Sequence, residues 1–333
     1  MTTKLSDEVA LAEFVGRAKA KVYSIFKTLK ILDKFNISIF FQLFDCQVIP
    51  TLLYASEVWG LVPYDQPESV QMFACKKLLS VRKQTPNCLI YGEMGRFPLS
   101  IESKLRAIKY WFKIRKMDEN RLPRLAYTRE LTEIKNSHNW SAGIKSILEQ
   151  NGFAYVWNTG FVMYENAFIK ELRQRMRDIF RQSWSEKCNP TGKFQTYRQF
   201  KLDFGEEKYL LNIPVAKFRV AMARMRIAAS YLHVNRRLLN PTANIKCPFC
   251  PKDETELHFL MECPCYNDIR IKYIFKHLPE NGTTLSQLLA NESKAITHDI
   301  AMYIFYSFKL RSEKLREAKL RKNVLRAVVV RNN

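Results

Sequence analysis

The stretch CPFCPKDETELHFLMEC, residues 247–263, places Cys247, Cys250, His258 and Cys263 at the spacing C-x2-C-x7-H-x4-C. A CxxC turn presents two thiolates from one tight loop, and a later His and Cys complete the four nitrogen and sulfur donors that close a tetrahedral zinc site. Pro248 and Pro251 shape the turn, and LHFLMEC reads as a short helix carrying His258 and Cys263 five residues apart. Cys265 is a rival for the fourth position. Buried, unliganded thiols are the alternative, since free cysteine is among the most buried residue types. Four candidate ligands within seventeen residues favour the metal. We therefore expect one structural Zn2+, because four protein ligands leave no open position for water. Cys46, Cys75, Cys88 and Cys188 are scattered and read as core or incidental.

What a metal-stapled knot does here depends on charge. The formal net charge is +22, far beyond what solubility needs, and an excess of that size points to a polyanionic partner, with nucleic acid the leading candidate. With no charged-then-apolar leader at MTTKLSDEVALAEF, the eight cysteines do not read as a secreted disulfide framework. The expected location is intracellular, nucleus or cytoplasm, and not secreted. The most apolar stretch, ISIFFQLFDCQVIPTLLYASEVWGLV, is interrupted by Gln42, Asp45, Gln47, Pro50 and Glu57, so it reads as core and not as a membrane span.

The dominant period is helical. Leu11, Val15, Ala18, Val22, Phe26 and Leu29 recur on one face of a helix spanning 11–34, and a second helix is expected to end before Pro50. A basic helix in IESKLRAIKYWFKIRKMDENR has Leu105, Ile108, Trp111, Phe112 and Arg115 on one side, with Pro123 closing the block. FIKELRQRMRDIFRQSW is a further helix, and KCNPTGK, 187–193, reads as a linker. In VAKFRVAMARMRIAASYLHV, Phe218, Met222, Met225, Ala229 and Leu232 share a core face, flanked by Lys217 and Arg224 on one edge and Arg219 and Arg226 on the other. The expected fold is mainly α. A thumb-like helical domain (1–123), a helical linker region (124–192) and a C-terminal helical domain (193–333) follow one another, the last carrying the zinc knuckle and a basic C-terminal helix. Candidate phosphate contacts are Lys109, Lys113, Arg115, Lys116, Lys217, Arg219, Arg224, Arg226, Arg236 and Arg237, with a diffuse contribution from the run 309–331.

The string CPFCPKDETELHFLMECPCYNDIRIKYI resembles the cysteine-histidine knuckle near the carboxyl end of non-LTR (LINE-type) retrotransposon reverse transcriptases, whose pattern runs C-P-x-C, an acidic stretch, E-x-H-F-L, C-P-x-Y and I-R. LFDCQVIPTLLYASEVWG, KKLLSVRKQTPNCLIYGEMGRFPLSIE followed by KYW, and FQTYRQFKLDFGEEKYL are similar, in the same order, to segments downstream of the polymerase palm. The resemblance covers residues 10–275. Ala55 stands where the family often has glycine, which would relax a tight turn there. Ser230 and Arg237 stand where it commonly shows His and Gly.

The resemblance implies a nucleic-acid-binding region that positions template RNA and target DNA, without the catalytic palm. A polymerase needs paired aspartates to hold two divalent metals, and this sequence has no Asp-Asp pair. The chain alone is therefore expected to bind RNA or DNA without chemistry, with a palm-bearing reverse transcriptase possible in trans and no membrane partner. One alternative is a domesticated or degenerate remnant acting as a protein-interaction module. A weaker one is a restriction-type nuclease using Asp299 with Glu317 and Lys319, or Glu206 with Lys208.

Overall fold

A computed structural model describes residues 7–30, 36–61, 65–132, 139–188, 194–238, 240, 242–279 and 282–331. Among them the chain is mainly helical, as the periodicity predicts. Pairing outside helices is confined to two isolated bridges, Met94 with Glu206 and Lys246 with Asp253. No helix among the described residues is long and apolar enough to cross a membrane. The chain divides into two compact units that interleave in sequence. Unit 1 comprises Met1–Ile31, Ser38–Cys75 and Gly95–Lys187, and unit 2 comprises Leu32–Ile37, Lys76–Met94 and Cys188–Asn333. Residues on either side of Pro123, set apart in the sequence reading, thus share unit 1.

Helix α1 (Asp7–Lys30) buries Leu11, Ala18, Val22 and Leu29 of the predicted stripe, while Val15 and Phe26 are half-buried and Ile25, outside the stripe, is buried. Its expected extension to residue 34 lies outside the described residues. The break expected before Pro50 is replaced by a continuous run. Helix α2 (Ile37–Leu43) passes through a π turn (Phe44–Val48) into α3 (Ile49–Leu52), with Pro50 in its first turn. The Ile49 N–H bonds Phe44 O across five residues, and Pro50 falls in the first turn of the helix that follows, where proline is tolerated.

Next come α4 (Ser56–Trp59), α5 (Asp65–Leu78), α6 (Asn87–Met94) and α7 (Leu99–Arg115). Helices α4 and α7 pack so closely that a methyl group at Gly60 would collide with Ser103 Cβ, and the Ser103 hydroxyl donates to Gly60 O at 3.0 Å. Pro123 opens the following helix instead of closing a block, since it lies in the first turn of α8 (Leu122–Thr132), where prolines are tolerated. Helices α9 (Trp140–Gln150), α10 (Ala154–Thr159) and α11 (Glu165–Lys187) complete unit 1. Trp111, Phe112, Ile144, Leu148, Phe168 and Leu172 form the centre of its core.

In unit 2, short helices α12 (Gln195–Arg198) and α13 (Lys208–Asn212) lead to α14 (Ala216–Arg226). Helix α14 stops well before the predicted stripe does. Ala228 adopts φ 53°, Ala229 N–H bonds Arg224 O at 2.9 Å and Ala228 N–H bonds Met225 O at 3.4 Å, a Schellman cap built on alanine. Phe218, Met222 and Met225 are buried as predicted, and Leu232 is buried from beyond the cap. Helices α15 (Asn267–Tyr273) and α16 (Leu285–Leu289) follow, then α17 (Lys294–Arg331), which packs on α13, α14 and α15. The proposed linker's residues 189–193 lie outside the described ones.

Candidate metal centre and basic surfaces

The knuckle begins as a tight antiparallel turn. Cys247 N–H donates to Lys252 O at 2.8 Å, Glu254 N–H donates to Ile245 O at 2.7 Å, and Lys246 pairs with Asp253 at 2.8 Å. This folds Cys247 and Cys250 toward the segment His258–Glu262, which is a π turn and not the α-helix that the sequence suggests. Its closing bond, Cys263 N–H to His258 O, is 2.8 Å. The π turn spans five residues where an α turn spans four, so Cys263 returns over His258 as an i+4 residue would in an α-helix.

The ligand atoms of Cys247, Cys250, His258 and Cys263 all lie within 4.8 Å of one another, and these four residues can hold a metal ion. Cys247 Sγ and Cys263 Sγ are 3.8 Å apart, and Cys250 Sγ is 3.2 Å from His258 Nε2. Two thiolates about 2.3 Å from a shared ion at the tetrahedral angle stand about 3.8 Å apart, so the donor set fits. Cys265, the rival, is half-buried and outside this group. Burial raises the Cys247 thiol, and burial, with the neighbouring Cys247 adding to it, pushes Cys263 up to about 12. A metal ion must therefore displace protons to bind.

The supporting shell was invisible to spacing arguments. Glu262 Oε2 lies 3.5 Å from His258 Nδ1, without hydrogen-bonding it, and 3.0 Å from Lys252 Nζ, while the ring's Nε2 faces Cys250 Sγ. The Lys252 hydrogen bond, against the opposing effect of burial, holds the Glu262 carboxyl below its ordinary range. Arg270, fully buried, donates to Leu260 O at 2.8 Å and Cys263 O at 3.0 Å, pinning the π turn from behind. Tyr303 donates to Phe259 O at 2.6 Å. Arg311 binds Glu254 through two contacts of 2.8 and 2.9 Å, so α17 clamps the knuckle. Of these, the sequence reading includes Arg270, as the arginine of the I-R pair in the resemblance, and Arg311, within the basic run 309–331, which is buried against Glu254 and not open to a phosphate.

The candidate phosphate contacts separate into groups. On α7, Lys109, Lys113 and Lys116 are exposed, while Arg115 is half-buried with its guanidinium 5.0 Å from the Trp111 ring centre. Lys217 is exposed but lies over the Phe218 and Phe305 rings at 5.1 and 5.3 Å. Arg224 is half-buried and donates to Ser80 O at 2.8 Å and Ser80 Oγ at 2.9 Å.

Arg219 and Arg226 are corrections. Both are buried, 3% and 1% exposed, and cannot reach a phosphate. Arg219 donates to Ile213 O at 2.9 Å, while Arg226 pairs with Glu93 at 2.9 Å and Glu207 at 2.7 Å and donates to Leu289 O. A wheel drawn for α14 alone could not show that α6 and the segment before α13 cover that edge. Arg236 and Arg237 belong to a 3-10 turn, His233–Leu238, and their side chains lie outside the described ones.

The nuclease alternative fares poorly. Asp299, Glu317 and Lys319 all sit on α17, where the two carboxylates are about 27 Å apart along one helix. Asp299 is held by Lys276 at 2.8 Å and His277 at 2.6 Å. Lys208 is paired with Glu292.

No family model, curated protein or solved structure matches the chain.

Proposed function

We propose that this chain binds nucleic acid, RNA or target DNA, as the C-terminal portion of a non-LTR reverse transcriptase. It works without chemistry of its own, stabilised by one structural zinc at Cys247, Cys250, His258 and Cys263. The observation that carries the reading is the net charge of +22. The closed donor set supports zinc in particular, because soft thiolates with one imidazole in tetrahedral spacing suit that ion. With Arg219 and Arg226 buried inside the fold, Lys109, Lys113, Arg115, Lys116, Lys217 and Arg224 remain as candidate contacts with described side chains.

Salt dependence tests the reading directly. If those six cations meet phosphates of a duplex, log K falls against log salt with a slope of roughly −5. A flat profile overturns it. In primer-extension and cleavage assays with magnesium or manganese the purified chain is expected to be inert, because the sequence has no Asp-Asp pair to hold the metal ions that neutralise the developing phosphate charge. Extension or cleavage lost on mutation of this chain would refute that part.

A further inference from the structure

We propose that residues 160–165, between α10 and α11, form a stacking platform for unpaired bases of a single-stranded nucleic acid, set beside the cations at the end of α7. The proposal rests on the nucleic-acid reading above and assigns it a second contact chemistry.

Three large side chains there face water, with Phe161 69%, Met163 75% and Tyr164 71% exposed. The loop is nevertheless fixed at three points. Val162 packs into the core of unit 1, Glu165 pairs with Lys116 at 2.9 Å, and Gly160, in left-handed backbone at φ 65°, admits the Arg115 guanidinium where any side chain would collide with it. A rigid loop that turns its one small apolar residue inward and three large ones outward holds an apolar surface ready for a partner.

The neighbouring charges say which partner fits. Arg115 lies against Trp111, itself stacked on Trp157 at 5.6 Å, and Arg115 Nη1 is buried without a hydrogen-bond partner. The guanidinium adds fixed positive charge beside the loop. Lys109, Lys113 and Lys116 are exposed on the same helix at spacings that keep them on one face. Asp118 and Glu119 are exposed just beyond, so this lysine row is the approach for a phosphate chain. Aromatic faces beside a cationic track are the arrangement that binds single strands without reading their sequence.

The test uses the full chain and measures fluorescence anisotropy with a uridine oligonucleotide and with a duplex RNA of matched length, over a salt series. Combining Phe161→Ala with Tyr164→Ala is expected to weaken single-strand binding by about tenfold or more, leaving the salt slope and duplex affinity unchanged. Combining Lys109→Gln, Lys113→Gln and Lys116→Gln should instead lower the slope. Photo-crosslinking of the unaltered chain to a 4-thiouridine oligonucleotide should label residues 155–164, a readout independent of any substitution. Single-strand affinity unmoved by the aromatic substitutions, or crosslinks only elsewhere, overturns the platform while leaving nucleic-acid binding intact. Failure to bind either RNA overturns both readings, and self-association abolished by the same substitutions reassigns the patch to a protein contact.

Discussion

Ala55, Ser80 and Ala228 carry left-handed backbone, with φ of 53°, 51° and 53°, where glycine is the ordinary occupant. The sequence reading expects alanine at residue 55 to relax a tight turn; instead the turn is kept and Ala55 bears the strain. Ala228→Gly and Ala55→Gly should each stabilise the chain by about 0.5–1 kcal/mol, the relieved strain exceeding the added freedom of the unfolded chain, and calorimetry would show each as a rise in Tm. Ser80 is a different case, because its hydroxyl and carbonyl both receive Arg224. At the knuckle, Cys250→Ser should release the bound metal and unfold residues 245–270 while unit 1 keeps its helicity, whereas Cys265→Ser should change neither. Elemental analysis with circular dichroism checks both outcomes. The metal contributes folding free energy on the order of 10 kcal/mol in such sites, so the loss should be large and local. The four clustered candidate ligands were legible because thiolate and imidazole spacing is written directly in the chain. The fates of Arg219 and Arg226 were not, since burial of a helix edge depends on residues distant in sequence.

At the scale of elements, apolar periodicity marked most long helices, yet both π turns and the early end of α14 escaped it. Each involves one residue out of phase with its neighbours, a shift smaller than a period can report. In the knuckle that shift brings the candidate ligands together, because a five-residue step from His258 to Cys263 would leave an α-helix about 140° past a full turn and aim the thiol away. Inserting one alanine after Met261 should rotate Cys263 by about 100° and abolish metal binding, although every ligand is still present; titration with a chromophoric zinc chelator would detect it. Helix α17 shows a second contrast along its own length. Its first half is embedded through Ile300, Tyr303, Ile304 and Arg311, while residues 312–321 are exposed apart from the half-buried Leu315. Among the described side chains of the basic C-terminal run, Lys309 and residues 312–321 other than Leu315 are open to solvent.

For the molecule as a whole, unit 2 depends on a segment that lies far from the rest of it in sequence. Glu93 on α6 meets Arg226, 133 residues later, and Met94 bridges Glu206, while Ser80 receives Arg224. Removing one charge from this buried group, as in Glu93→Gln, should destabilise the fold by about 3 kcal/mol, because Arg226 stays buried with Glu207 as its remaining carboxylate partner. A lowered urea midpoint with unchanged metal content would distinguish that loss from damage at the knuckle. The interleaving also has a consequence in time. On a ribosome adding about 5–20 residues per second, Glu93 emerges roughly 7–27 seconds before Arg226, and the last segment of unit 1, Gly95–Lys187, is synthesised in between. Unit 1 can then fold while the segment 76–94 waits, hydrated and unpaired, for the second half of its own core.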